Sequence, residues 1–267
     1  MERNQNARSF IIFVAVLALT ILSCSGLADL PGLIATATPT PTSTFTPSPT
    51  PTLTSTPTLT PTNTFTPTPL PETSIESLAD GSTRFTDTKG GYTFVLPAGW
   101  LVINLVGDNP GQALEEAKSA NPDKALILTG LNSAVAQRAR MGAADFSPDH
   151  FTAISAPMLF TVLDETALLM PLEDLLEANR KMIPQILKAQ VTASKINENP
   201  SGVPYGILDI TLKITSNTAT TSVSEKLMMF KTEKYTVFIT LAVLDELKEA
   251  GFAGFNEMIE SVELLNP

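Results

Sequence analysis

Tyr235-Thr236-Val237-Phe238-Ile239-Thr240-Leu241-Ala242-Val243-Leu244 is the stretch on which the fold turns. Its β-branched and aromatic residues favour an extended chain. Successive side chains of a strand point to opposite faces, and here both alternating sets are apolar. A strand with one wet face would carry polar residues at every second position. This one is therefore predicted to be central and covered on both sides. Just upstream, Glu225 to Lys231 reads as its hairpin partner about Thr232-Glu233-Lys234. Before that, Ile207 to Ile214 alternates, with Leu208, Ile210, Leu212 and Ile214 facing in and Asp209, Thr211 and Lys213 facing out. Downstream, a closing helix is predicted from about Glu246 to Ser261, interrupted at Gly251, with Phe255, Met258, Ile259 and Val262 on its core face.

Further from the centre, Pro171 to Leu187 is the clearest helix. Leu172, Leu175, Leu176, Met182, Ile183, Ile186 and Leu187 form one apolar stripe. Glu173, Asp174 and Glu177 sit where the macrodipole favours acids, Glu177 and Lys181 are an i,i+4 pair, and Pro184 should kink the last turn. Tyr92 to Leu96 alternates as a strand, and Pro97-Ala98-Gly99 is a tight turn leading to a second strand, Leu101 to Val106, which predicts a hairpin. Pro110 to Asn121 reads as a helix ended by Asn121-Pro122, and residues 123 to 140 as helical or mixed. Ala143 to Phe146 and Ala156 to Leu163 read as strands. Mixed elements, hairpin pairing and one doubly apolar strand predict an α/β (α+β) fold. Its predominantly antiparallel central sheet is flanked by helices, in a single globular domain over 76–267.

Three segments resemble the PsbP-like α/β/α sandwich family. Gly91-Tyr92-Thr93-Phe94-Val95-Leu96-Pro97-Ala98-Gly99-Trp100 is similar to that family's opening Y-x-F-x-x-P-x-G-W pattern. The late pair of apolar strands is the second. Met258-Ile259-Glu260-Ser261-Val262 is the third, similar to its closing I-x-x-S pattern. The resemblance spans roughly Ser82 to Pro267 and implies a binding or assembly factor rather than an enzyme. It transfers no functional residue to this chain, because sharing a fold does not transfer a task.

The N-terminus reads as an address. Arg3 and Arg8 precede an apolar run, Phe10 to Leu22, broken only by Thr20. The run is shorter than the roughly 20 residues needed to span a bilayer. It ends in Ile21-Leu22-Ser23-Cys24, which resembles the lipobox of bacterial lipoproteins. That resemblance implies cleavage after residue 23 and a diacylglycerol anchor on Cys24, placing the protein on the extracytoplasmic face of a cell membrane. Ordinary secretion with a free Cys24, and an uncleaved anchor, are the alternatives. Residues 24–75 then form a stalk that is almost entirely Thr and Pro from Ala35 to Pro71. Proline fixes φ and removes a donor, so an extended, disordered spacer is predicted, with a reach on the order of 100–150 Å. Its threonine density resembles O-glycosylated mucin-like stalks. No Asn-x-Ser/Thr acceptor occurs once Asn199-Pro200-Ser201 is discounted for its proline.

Composition excludes several classes of function. The net charge is -10, which disfavours nucleic acid and anionic lipid as partners. Cys24 is the sole cysteine, so the domain has no disulfide and no thiolate metal site. His150 is the sole histidine. Zinc requires three or four ligands, so none is expected. Calcium through Asp145, Asp149, Asp164 and Glu165 lacks EF-hand spacing. A catalytic reading makes His150 a general base oriented by Asp149. The plain reading is a loop residue after the Ser147-Pro148 turn, and no Gly-x-Ser-x-Gly elbow supports the former. Glu115-Glu116 and Glu173-Asp174 point about 100° apart on their helices, as solvated faces do. Trp100, Met228, Met229 and Met258 read as core, and Gly251 and Gly254 as sites of close helix–sheet contact. No catalytic, cofactor or metal residue is assigned, and only Cys24 is, as a lipid attachment site. The expected function is a non-enzymatic binding or assembly-accessory lipoprotein. An extracytoplasmic hydrolase and a structural envelope spacer are the alternatives.

Overall fold

The computed structural model describes residues 71–215 and 220–265. The predicted signal segment, Cys24 and the predicted stalk up to residue 70 lie outside the described residues. Two sheets carry the fold. The larger has seven strands in the order β4-β5-β6-β10-β9-β8-β7, all neighbours antiparallel. These strands are β4 (Trp100–Asn104), β5 (Met141–Asp145), β6 (Met158–Asp164), β7 (Gln190–Glu198), β8 (Pro204–Thr215), β9 (Thr220–Lys231) and β10 (Thr236–Leu244). The smaller sheet has four, in the order β1-β2-β3-β11: β1 (Thr73–Ser77), β2 (Thr83–Asp87), β3 (Tyr92–Leu96) and β11 (Glu263–Leu264). Helices are α1 (Pro110–Ala120), α2 (Ala125–Leu128), α3 (Asn132–Ala136), α4 (Leu172–Leu187) and α5 (Lys248–Glu260).

The doubly apolar strand β10 is the fourth of the seven, as its sequence requires. One face, Val237, Ile239 and Leu241, packs with Leu159, Met228 and Phe230 against Tyr92, Phe94, Phe255 and Met258. The small sheet and α5 therefore share that side. The other face carries Phe238, which packs with Leu208 and Met229 against Leu175, Leu176 and Ile183 of α4. Phe238 is in register with Val162, and Val162 and Phe160 lie under Leu114, Leu128 and Leu131 of the α1–α3 region. Helices α1–α3 thus cover the β4–β6 half of this face and α4 covers the β7–β9 half. Each fully buried Leu, Ile, Val or Phe contributes about 1.5–3 kcal/mol relative to exposure, and both faces of β10 supply such residues.

Local chemistry sets the element ends. Asn109 caps α1, its side chain accepting from the Gln112 amide at 3.2 Å, with Pro110 at the first helical position. Lys188, in the left-handed conformation at φ +52°, ends α4. The helix runs through Pro184 to Leu187. Helix α5 is likewise continuous through Gly251, which corrects the expected interruption. Gly251 is retained for contact instead: a Cβ there would lie 3.2 Å from Pro157 and 3.3 Å from Val243.

A second correction concerns the predicted Tyr92–Val106 hairpin. Strand β3 and strand β4 are consecutive but belong to different sheets. Leu96 pairs with Thr83, whereas Trp100 pairs with Asp145. The Pro97–Gly99 turn, with Gly99 at φ +94°, carries the chain from one layer to the next. The small sheet is tied to the large sheet and to the end of α5 by polar contacts as well as by packing. Tyr92 Oη donates to Thr161 Oγ1 at 3.1 Å, and Ser261 Oγ accepts from the Val95 amide at 2.8 Å.

Candidate functional site

The chemically loaded end of the large sheet is the turn after β5. Asp145, 1% exposed, ends the strand and accepts from the Ser147 amide at 2.9 Å. Its second oxygen lies 2.8 Å from His150 Nδ1. The His150 amide donates to the Ser147 carbonyl at 3.0 Å, which folds the imidazole back over the strand end. The orienting acid is therefore Asp145, not Asp149. Asp149 sits at the bend of the turn with φ +67°, in the left-handed region. In the same turn the Phe146 and Phe151 rings meet edge-on at 5.5 Å, and Lys124 lies 4.8 Å over the Phe146 ring. The arrangement fixes one ring nitrogen of His150 against a buried acid and leaves the side chain 38% exposed. Such a pair can orient an imidazole for proton transfer or hold a loop.

The other acids named from the sequence do not join it. Asp164 and Glu165 lie at the opposite end of β6, about 20 Å away at roughly 3.3 Å per strand residue. Asp164 Oδ1 is engaged by the Thr166 amide and hydroxyl, each at 2.7 Å. Among the described residues no group of three His, Cys, Asp or Glu side chains could hold a metal ion. Glu115 pairs with Lys118 at 2.8 Å and Glu116 accepts from Gln112 at 2.8 Å, as solvated helix faces do. Glu173 and Asp174 are exposed in the first turn of α4. Glu177 is bound by Arg180 at 2.6 Å and by Lys181 at 3.1 Å, and those cations lower its pKa to about 2. Trp100 is core, with its indole 3.3 Å from where a Cβ on Gly254 would stand, and Met228, Met229 and Met258 are fully buried.

Two buried polar groups escaped the sequence reading. Arg140 grips Asp87 with two hydrogen bonds, at 2.8 and 2.9 Å, and Glu72 with a third at 3.0 Å. Asp87 is fully buried, and the Arg140 hydrogen bond holds the Glu72 carboxyl below its ordinary range. Glu225 is the other. On β9 it occupies the helix-covered face, between Ile210 of β8 and Ala242 of β10. Neither carboxylate oxygen has a protein partner, and burial pushes the pKa up to about 8. The hydroxyl of Thr240, diagonal to it across the β9–β10 pair, is also buried and unpartnered. A signal for Glu225 was present: it interrupts the period-two apolar row Val223, Leu227, Met229.

Fold and surface together define a mixed α/β protein whose central antiparallel sheet is flanked by helices. Solved structures with similar folds include cyanobacterial PsbP from Synechocystis sp. PCC 6803, at 14% identity and TM-score 0.41 over 70% of this chain and 94% of that one. Another is LpqN, involved in cell envelope biogenesis of Mycobacterium tuberculosis, at 11% identity and TM-score 0.36 over 73% and 91%. A third is the Ran-binding protein Mog1p of Saccharomyces cerevisiae, at 12% identity and TM-score 0.35 over 70% and 97%. No family model and no curated protein sequence matches the chain. At these identities the likenesses carry no function across. Among the described residues, no helix is long and apolar enough to cross a membrane.

Proposed function

We propose that this chain is a lipoprotein anchored through Cys24 on the extracytoplasmic face of a cell membrane. Behind it a Thr/Pro-rich stalk leads to one folded unit, which β1 opens at Thr73 rather than at the expected boundary of 76, and which serves as a non-enzymatic binding or assembly-accessory module. The observation that carries this reading is the placement of the only cysteine, directly behind an apolar run and directly ahead of the Thr/Pro stretch. The entry of the chain into the fold supports it. Thr88 Oγ1 donates to the Pro71 and Glu72 carbonyls at 3.1 and 3.0 Å, the Thr88 amide donates to Glu72 at 2.9 Å, and Arg140 binds the Glu72 carboxylate. A point so fastened resists fraying where a tether would pull. The acidic charge favours partners other than nucleic acid.

Intact-mass spectrometry of the mature protein tests the anchor. A chain beginning at a diacylated Cys24 is expected, and Cys24→Ala should leave the precursor unprocessed or release it from the membrane fraction. An unmodified Cys24, or a retained leader, overturns the reading. One observation favours the hydrolase alternative: an imidazole held by a buried acid at Asp145–His150. Labelling by a fluorophosphonate probe that disappears in His150→Ala would establish that alternative, and absence of labelling excludes a serine hydrolase.

A further inference from the structure

Three buried polar side chains meet the layer between α4 and the large sheet with oxygens that the protein leaves unpartnered. Glu225 is fully buried, and neither carboxylate oxygen has a hydrogen-bond partner. The buried Thr240 hydroxyl has none either. Asn179 of α4 is fully buried, and its Nδ2 donates to the Leu175 carbonyl at 2.8 Å. That bond fixes the amide and leaves Oδ1 buried without a donor.

Register brings the three to neighbouring rows. Glu225 pairs with Ala242 and Thr240 with Leu227, so Glu225 and Thr240 are diagonal neighbours on one face. Such neighbours stand about 7–8 Å apart, within reach of a long side chain. Leu176 of α4 lies over Gly206, the strand partner of Met229. From there the helix runs toward Gln190, which pairs with Thr211. Asn179 is three residues further along, about 4.5 Å at 1.5 Å per residue. It therefore lies over the Leu208–Leu227–Thr240 row, next to the row that holds Glu225. Leu175 and Ile183, four residues either side of Asn179, pack with Leu208, Ile210 and Leu227, so its face of the helix is turned to the sheet. The oxygens are shut off from solvent, and no two of them bond to each other. A small guest that bridges them resolves that arrangement.

The atoms select the guest. All are oxygens, and the Thr240 hydroxyl is the one standing donor among them. Among the described residues no cation answers the carboxylate, whose raised pKa comes from burial alone. Lys226 points to the opposite face and binds Asp209 at 2.7 Å, Lys231 binds the Leu168 and Met170 carbonyls, and Arg180 and Lys181 bind Glu177. Buried charges are otherwise paired or coordinate a metal. One carboxylate balances one positive charge, whereas calcium gathers about six to eight oxygens.

We propose that Glu225, Thr240 and Asn179 form an internal site for a monovalent hard cation, sodium, seated between α4 and strands β9 and β10. Binding neutralises the buried carboxylate and ties α4 to the middle of the sheet. A proton competes for the same oxygens. Burial raises Glu225 to about 8, so the proton holds the site below that pH and the cation takes it above. This site stands apart from the anchor and from the binding-module reading.

The test melts the full chain about one pH unit above that value, at constant ionic strength, as sodium chloride replaces choline chloride. A tenfold excess of sodium over its Kd should raise the melting temperature by about 3–6 °C. Glu225→Gln keeps the side-chain size and removes the charge, and should abolish the response. Thr240→Val keeps the carboxylate and should weaken it, which preserves the test if the first variant folds poorly. Sodium-23 relaxation reads binding directly: the wild-type chain should broaden the signal and Glu225→Gln should not. Melting temperatures that coincide in sodium and choline throughout overturn the proposal and leave water in the site. An equal sodium response in Glu225→Gln places the ion elsewhere and also overturns it. So does a larger response to calcium chloride than to sodium chloride, which contradicts the charge balance.

Discussion

Gly99 backs onto Ser147 so closely that a Cβ on the glycine would stand 2.1 Å from the serine Oγ and 3.1 Å from its Cα. The Phe146 amide donates to the Gly99 carbonyl at 3.0 Å, and Ser147 Oγ donates to the Ala98 carbonyl at 3.1 Å. The turn that moves the chain between sheets and the turn that carries His150 are therefore one packed unit. Gly99 also has φ +94°, which a side chain disfavours. Gly99→Ala is expected to destabilise the fold by about 2–4 kcal/mol, combining a left-handed penalty with overpacking. Urea unfolding at neutral pH measures it, and a loss below 0.5 kcal/mol would show that Ser147 yields freely.

Glu225 predicts a pH dependence opposite to that of a salt-bridged acid. Its folded pKa of about 8 stands above the unfolded value of 4.5. Between these values the native state binds a proton that the unfolded state has released. Stability is therefore greatest below about pH 4.5 as far as this group is concerned, falls as pH rises toward 8, and is flat above. The full loss is on the order of 5 kcal/mol at 1.36 kcal/mol per unit. In Glu225→Leu the fall between pH 5 and pH 8 should vanish, read as the difference from wild type in urea midpoints across that range.

Asn199 is committed on all sides. Its Nδ2 donates to the Ile259 and Val262 carbonyls at 3.0 and 2.7 Å, and its Oδ1 accepts from the Ser201 and Val203 amides at 3.1 and 2.9 Å. It is 6% exposed, so its loss leaves the end of α5 and the β7–β8 turn with buried unpaired groups. Asn199→Ala should cost about 3 kcal/mol, and Asn199→Asp nearly as much, because a carboxylate cannot donate to the two carbonyls. Calorimetric melting temperatures decide between this and a cost within experimental error.

Arg140 and Asp87 form an asymmetric set of mutants. Arg140→Leu strands the carboxylate of a fully buried Asp87 and should cost about 3–5 kcal/mol. Glu72→Gln removes a half-exposed partner of the same arginine and should leave the melting temperature almost unchanged. Equal effects from the two variants would mean that the Asp87 contact is not the dominant one.

Much of this fold was legible in the sequence because burial imprints a period. The two apolar faces of Tyr235–Leu244 fixed it as the central strand, and the stripe from Leu172 to Leu187 located α4. Strands with little burial left no such mark. In β1 only Thr73 is buried, and β7 is almost wholly exposed with a bulge between Val191 and Ala193, so neither was read. The Tyr92–Val106 hairpin failed for another reason. A turn sequence states that the chain bends, and only the edges already occupied by β2 and β5 state which sheet receives it. At the candidate site His150 was found by residue type. Asp145, five positions upstream, required the folded turn to bring it near. Glu225 was visible as a break in an apolar row.

The small sheet joins the earliest and latest parts of the domain. Glu263 pairs with Thr93 and Leu264 with Tyr92, and the Leu265 amide reaches the Gly91 carbonyl at 3.0 Å. A growing polypeptide must then hold β1, β2 and β3 waiting while some 170 residues are synthesised, for the strand that closes them is made last. Until then Phe85, Tyr92 and Phe94 lack the cover of Phe255, Met258 and Val262. A ribosome stalled near residue 250, or a protease that trims the tail, would leave an aromatic surface open to holdase chaperones. Closure of the small sheet is thereby coupled to the synthesis of Glu263 and Leu264.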